Sequence, residues 1–189
     1  MKIYNISSII EDTLCILACI LATDAKLMDT YSIIMLWSIR IAAKEDQMYK
    51  SVNAAYMISL AIAGVLRILY IIEDARYNIK TEEAFISFGE TAFAAIVITV
   101  FMAVTSAFGE LGVADTLTFI CIVGLKSMNF TTILIIAGSS TLAMLVQLLA
   151  INIKRIKQKK KLESAAYIPW MHRAVVAVYI AYSIALYNR

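Results

Sequence analysis

Residues that interrupt helices or build metal and redox sites are scarce in this chain. Its 189 residues include one proline and six glycines, so long helices meet few breaks. The three cysteines, Cys15, Cys19 and Cys121, lie inside apolar runs, and no CxxC pair occurs. This pattern predicts neither a zinc site nor a disulfide framework. Cys15 and Cys19 are four residues apart on one helix face, where we interpret them as small packing residues rather than metal ligands. We therefore expect no metal and no cofactor.

The chain also has few residues that could form a nucleophilic site of the Ser-His or Cys-His type. His172 is the only histidine, and it follows Pro169 at the start of the last apolar segment with no strong nucleophile motif elsewhere. Gly138-Ser139-Ser140 lies within an apolar run, where small residues typically pack helices together. A catalytic site in this chain is therefore expected to use other groups.

Apolar sequence is what the chain has in abundance. Hydrophobic residues make up 61% of it, with a mean hydropathy of +0.79, against roughly 45–50% apolar content in an ordinary soluble domain. Strand-like alternation is absent, and a backbone inside lipid must satisfy its own hydrogen bonds. The sequence therefore predicts an all-α, polytopic membrane helical bundle that forms one domain over residues 1–189.

Six apolar runs are candidates to cross the bilayer, and a seventh is too short. The seventh, Tyr31 to Ala43, has 13 residues and carries Arg40, which fits an interfacial or re-entrant helix better than a full span. We therefore expect about six transmembrane helices and one short interfacial helix. The six runs are residues 3–23, 51–72, 84–108, 115–126, 131–153 and 168–186.

The distribution of cations predicts the topology in the cell membrane. Short cytoplasmic loops collect Lys and Arg, and residues 154–161 are the most basic stretch of the chain. With that stretch inside, the turn before Asp115 is cytoplasmic. Asp24 is cytoplasmic too if Tyr31 to Ala43 does not cross, whereas a crossing there would put the two acids on opposite faces.

Two carboxylates at the ends of apolar runs are the candidate catalytic residues. Asp115 follows Gly112 and Ala114, and Asp24 is followed by Lys26. Burying an isolated charge at a membrane boundary is costly, so such a residue is a functional hypothesis. Two adjacent carboxylates share one proton, so that one activates water while the other protonates a carbonyl. We therefore expect Asp24 and Asp115 to form one aspartic-peptidase site.

A structural interpretation of the same residues stays open. Asp115 could cap a helix that starts at Thr116, and Asp24 could end the first helix beside Lys26, since aspartate is a good N-cap. Spacing alone does not decide between the two interpretations.

Three short motifs resemble those of the type IV prepilin and preflagellin peptidases, which are membrane aspartic proteases. Asp24-Ala25-Lys26 resembles the family's first aspartate after a transmembrane helix, and Gly112-Val113-Ala114-Asp115 resembles its GxGD-like turn. Tyr167-Ile168-Pro169-Trp170-Met171 is similar to the IPF sequence before the family's last span. The chain differs by having Ala114 where bacterial members usually have glycine, Leu117 where lysine is common, and no Pro-Asn after Asp24.

The resemblance implies a function and its partners. It implies an endopeptidase that removes the leader of type IV pilus or archaellin-like precursors at the cytoplasmic face. Its partners would be membrane lipid and a prepilin-like substrate with a basic leader and an apolar helix, without nucleic acid. Gly112, Ala114 and Lys26 would shape the substrate-binding turn. The alternative is a noncatalytic membrane protein, such as a transporter subunit or assembly factor, in which both acids are caps or ion-pair partners.

Overall fold

The computed structural model describes residues 6–107, 112–158 and 166–188, and these residues form an all-α bundle of seven helices without strands. The predicted all-α membrane bundle is confirmed. The helices are α1 (Ile6–Asp24), α2 (Thr30–Tyr49), α3 (Ala54–Asn78), α4 (Glu82–Ala107), α5 (Val113–Val123), α6 (Phe130–Lys157) and α7 (Ile168–Tyr187).

Five of these helices, α1, α3, α4, α6 and α7, are long and apolar enough to span a membrane. They leave many large apolar side chains exposed, such as Leu66, Phe101 and Leu142, as suits a surface covered by lipid. Asparagine side chains cap the starts of α3 and α6: Asn53 accepts from the N–H of Tyr56, and Asn129 accepts from the N–H of Thr132. The chain is therefore a membrane protein.

Helix α2 is longer than the sequence pattern predicted. The segment Tyr31 to Ala43 was expected to form a short interfacial helix, but it belongs to a helix of 20 residues. The difference comes from Arg40, whose guanidinium is buried and donates to the carboxylates of Glu11 and Asp12 on α1. Because partners in the bundle neutralise this charge, it does not end the helix.

The two ends of the bundle can be identified from the direction of α2. Arg40 contacts Glu11 and Asp12 in the first half of α1, so α2 runs back along α1. We call the end that holds Tyr49, Val113 and Ile168 the upper end. The lower end holds the α1–α2 connection and the α5–α6 connection, which touch where Ser127 Oγ donates to the Leu27 carbonyl over 3.1 Å.

Helices α5 and α7 lie at the centre of the bundle. Helix α7 packs against α1, α2, α5 and α6. Helix α5 lies close against α3, because a Cβ atom added at Gly64 would come within 3.2 Å of the Cys121 Cα. A Cβ atom at Gly124 would come within 3.3 Å of the Gly64 carbonyl oxygen. Two glycines therefore set how closely the helix that carries Asp115 approaches α3.

We expect Gly64→Val to separate α3 from α5 and to lower the free energy of unfolding by about 1–3 kcal/mol, the usual cost of overpacking. The measurement is unfolding of the purified protein in detergent. Gly138→Val is the matched control, because Gly138 is on an exposed helix face and an added Cβ meets nothing within 4 Å. Equal losses in the two variants would contradict the close α3–α5 contact.

Candidate functional site

The two predicted catalytic aspartates lie at opposite ends of the bundle. Asp24 is the last residue of α1 at the lower end, and its side chain is exposed. Asp115 is in the first turn of α5 at the upper end. Helix α5 has 11 residues and therefore rises about 16 Å between these ends. The structure does not bring Asp24 and Asp115 together.

The reason for this separation is the full length of α2. Pairing Asp24 with Asp115 required the segment Tyr31 to Ala43 not to cross the bundle, and the 20-residue α2 carries the chain from the lower end to the upper end. Lys26, predicted to belong to the same site, also lies at the lower end, where it is exposed and has a φ of 59°. The sequence interpretation thus misplaced Asp24 and Lys26 relative to Asp115.

The carboxylate that acts on Asp115 is Asp46, in the last turn of α2. Burial raises the pKa of Asp115 to about 7, and the negative charge of Asp46 adds to this rise. The N–H of Gly112 opposes it by donating to Asp115 Oδ2 over 2.9 Å. Because burial and the charge of Asp46 disfavour its ionisation, Asp115 keeps its proton to higher pH than an ordinary aspartate, as the acid of a catalytic pair requires. We call Asp46 and Asp115 the upper carboxylate pair.

Asp46 is held by the start of α7. Burial raises the pKa of Asp46, while donation from the backbone N–H groups of Ile168 and Tyr167 and the charge of Lys50 oppose the rise. Its Oδ2 atom is buried and has no hydrogen-bond partner in the described part of the chain. A buried carboxylate oxygen without a partner is costly, so this atom favours a proton or a ligand that donates to it.

Gly112 and Ala114 precede Asp115, and the role of the glycine differs from the expected one. Gly112 has an extended backbone with a φ of −74°, so it is not required for a left-handed turn. A Cβ atom at this position would lie 3.2 Å from Asp115 Oδ2, so the glycine leaves room for the carboxylate. Ala114 is half-buried, and its carbonyl accepts a hydrogen bond from the Thr118 hydroxyl.

Asp115 also contributes to the start of its own helix. Helix α5 starts at Val113 rather than at Thr116, and Asp115 accepts from the N–H of Gly112 just before the first turn. This contact engages Oδ2, and a cap of this kind does not require a pKa near 7. The structural interpretation therefore accounts for one oxygen of Asp115 and leaves the effect of the Asp46 charge on it unexplained.

The sequence reasoning missed Asp46. The charges around Asp46 made the preceding segment look unlike a helix that crosses the bundle, whereas Asn53, which follows Asp46, caps the start of α3.

A different charged cluster lies at the lower end, beside a cleft of about 980 Å³. There the Arg67 guanidinium pairs with the Asp29 carboxylate and stacks on the rings of Tyr31 and Tyr70. Although burial tends to raise the pKa of Asp29, hydrogen bonds from Ser32 and the charges of Arg67 and Lys126 hold it below its ordinary value. Asp29 is thus an ionised structural partner, unlike the upper carboxylate pair.

The described residues contain no group of three or more His, Cys, Asp or Glu side chains that could hold a metal ion. Comparison of the chain with family models, curated proteins and solved structures finds no match. The assignment of a function therefore depends on the geometry of the chain itself.

Asp115 is expected to make the folded protein less stable as the pH rises. Its carboxyl titrates near 3.8 in the unfolded chain and near 7 in the folded one, so the unfolded chain loses its proton first. The free energy of unfolding falls through this window, and the loss is complete above the folded pKa. Asp115→Asn should reduce the stability difference between about pH 5 and about pH 8 by on the order of 1–3 kcal/mol.

The measurement is unfolding in detergent at the two pH values. Asp24→Asn is the control because Asp24 is exposed at the lower end, and it should leave the pH dependence of the wild type intact. An unchanged pH dependence in Asp115→Asn would show that the carboxyl titrates at its ordinary pKa.

Proposed function

We propose that this protein is a membrane aspartic endopeptidase whose catalytic residues are Asp46 and Asp115. The observation that supports the proposal is that two carboxylates from distant parts of the chain lie at one end of the bundle, where the charge of Asp46 acts on Asp115 and burial raises the pKa of both. Carboxylates perturbed in this way cost folding free energy and cluster at functional sites. Asp24, the residue first considered as the partner of Asp115, has no part in this site.

The upper carboxylate pair would hydrolyse a peptide bond by sharing one proton. The ionised member accepts a proton from a water molecule, which attacks the carbonyl carbon, and the protonated member donates to the carbonyl oxygen. The tetrahedral intermediate then collapses, the C–N bond breaks, and the nitrogen takes up a proton. The buried Asp46 Oδ2 has free capacity to accept a hydrogen bond from that water. Gly112 keeps the space beside Asp115 open.

The proposed orientation places the pair on the cytoplasmic side. Helix α6 ends at the upper end, and its last residues, among them Arg155 and Lys157, belong to the basic stretch 154–161. Helix α7 begins at the same end. Lys50 lies at the same end. Since short cytoplasmic segments are enriched in Lys and Arg, the upper end is assigned to the cytoplasm of a cell membrane.

The substrate class follows from the resemblance and from this position. A precursor of the type IV pilin or archaellin kind has a short basic leader followed by an apolar helix. The helix would lie in the bilayer beside the enzyme and place the scissile bond near the cytoplasmic boundary. Burial of the helix beside the bundle and in lipid would supply binding free energy, and the upper carboxylate pair would supply the chemistry.

The cleft at the lower end favours a second candidate function. In a noncatalytic membrane protein, such as a transporter subunit or assembly factor, the cleft beside Asp29 and Arg67 would be the functional site. The upper carboxylates would then have a structural role. In that case cleavage of a precursor would depend on no aspartate, whereas substitution of Asp29 would impair the function.

The test is co-expression of the protein with a candidate prepilin, followed by detection of leader removal on immunoblots. Asp46→Asn and Asp115→Asn should each reduce cleavage by at least about 100-fold, because each removes one half of the proton relay. The protein level in the membrane fraction reports insertion for every variant.

Asp24→Asn and Asp29→Asn are the matched controls, since both acids lie at the lower end, one exposed and one ion-paired. Both should cleave like the wild type if they insert normally. Full cleavage by Asp46→Asn, or loss of cleavage in Asp24→Asn alone, would overturn the assignment of the pair.

A further inference from the structure

The first residues of α7 touch both Asp46 and α6. The backbone N–H groups of Tyr167 and Ile168 donate to the Asp46 carboxylate. Pro169, the next residue, has no N–H, so the donors at this helix start are the two amides before it. The position of the backbone at Tyr167 and Ile168 therefore decides how well the Asp46 carboxylate is solvated by the protein.

The backbone at this point is anchored through the side chain of Tyr167. The ring is buried, and its hydroxyl lies 2.8 Å from Thr141 Oγ1 and 3.1 Å from Ser140 Oγ, both on α6. Ser140 also donates to the Ile136 carbonyl of its own helix over 2.7 Å. The phenol hydroxyl thus fixes the start of α7 to α6 by hydrogen bonds in a buried place.

We propose that Tyr167 is a positioning residue for Asp46: its hydroxyl, bound to Thr141 and Ser140, holds the amides of Tyr167 and Ile168 against the carboxylate. The consequence for peptide cleavage depends on the proposed function, but the placement of the amides does not. Tyr167 acts on Asp46 only through the backbone, because its side chain points to α6.

The physical basis is solvation of the ionised form of Asp46. Amide donors at a helix start favour a carboxylate over a carboxylic acid. If the two amides move away from the carboxylate, the protonated form of Asp46 is favoured and its pKa rises. Among the described residues, the charged group that acts on Asp46 is Lys50, just past the end of α2, and Asp46 in turn acts on Asp115 of α5.

Three cations of the described residues in this part of the bundle are bound by acids of α1. Arg40 pairs with Glu11 and Asp12, Lys44 pairs with Asp12, and Arg173 of α7 pairs with Glu11. The two amides are therefore the donors from α7 that the proposal requires. Because one hydroxyl group anchors these amides, removal of a single oxygen atom tests their contribution to the solvation of Asp46.

The test compares Tyr167→Phe with Tyr182→Phe in the purified full-length protein. Tyr182 also reaches from α7 to a hydroxyl group on α6, with its own hydroxyl 3.1 Å from Thr132 Oγ1, but at the lower end far from Asp46. Infrared pH titration, with Asp46→Asn subtracted to assign the carboxyl band, measures the protonation of Asp46. Cleavage of a prepilin as a function of pH is the second measurement.

Tyr167→Phe should shift the Asp46 titration to higher pH, move the acid limb of the cleavage profile in the same direction, and lower cleavage at neutral pH by about tenfold. Tyr182→Phe should change neither titration nor profile. An unshifted Asp46 titration in Tyr167→Phe, or an equal shift in Tyr182→Phe, would overturn the positioning role.

The two proposals fail in different ways. If Asp46→Asn and Asp115→Asn cleave normally while Tyr167→Phe still shifts the infrared titration, the peptidase assignment fails and the positioning of Asp46 by Tyr167 stands. If the aspartate variants are inactive and Tyr167→Phe has a wild-type titration, the peptidase assignment stands and the positioning role is rejected.

Discussion

The buried ion pairs of Arg40 are the interactions on which the placement of the candidate site depends. Arg40 is 1% exposed and binds carboxylates of both Glu11 and Asp12. A buried ion pair adds little net stability relative to an apolar core, but removing one partner leaves an uncompensated charge. Its main effect here is to fix the register of α2 along α1, because Arg40 finds both carboxylates in only a few alignments of the two helices. That register carries Asp46, six residues further along α2, to the upper end.

The ion pairs reach α7 as well as α2. Arg173 binds Glu11, so one acid on α1 receives cations from two other helices. Asp12 in turn accepts from Lys44 over 2.7 Å. Since α7 begins at Ile168, five residues before Arg173, the same contacts place the start of α7 beside the last turn of α2. The amides that face Asp46 and the carboxylate itself are thus positioned by one set of charges.

Apolar length predicted most of the fold, and side-chain pairing decided the rest. The runs at 84–108 and 168–186 correspond to α4 and α7, whose ends differ from the predicted ones by at most two residues. Helix α2 was underestimated because the charge of Arg40 favoured an interfacial or re-entrant helix, and a sequence does not state which acids will pair with it. That single error moved Asp24 to the wrong end. The predicted position of Asp115 did not depend on this segment, since it was derived from the basic stretch 154–161 and the runs before it.

The aspartates of this chain illustrate why proximity in a fold decides the chemistry of a carboxylate. Asp29 and Asp46 both lie at helix ends and are both partly buried. Asp29 faces Arg67 and Lys126, so it is held ionised and serves as a cap and an ion-pair partner. Asp46 receives two backbone amides and the charge of Lys50, which do not outweigh the effect of burial, so its pKa is raised. An aspartate after an apolar run is therefore an incomplete signal, because the balance between burial and the groups that act on the carboxylate decides whether its pKa falls or rises.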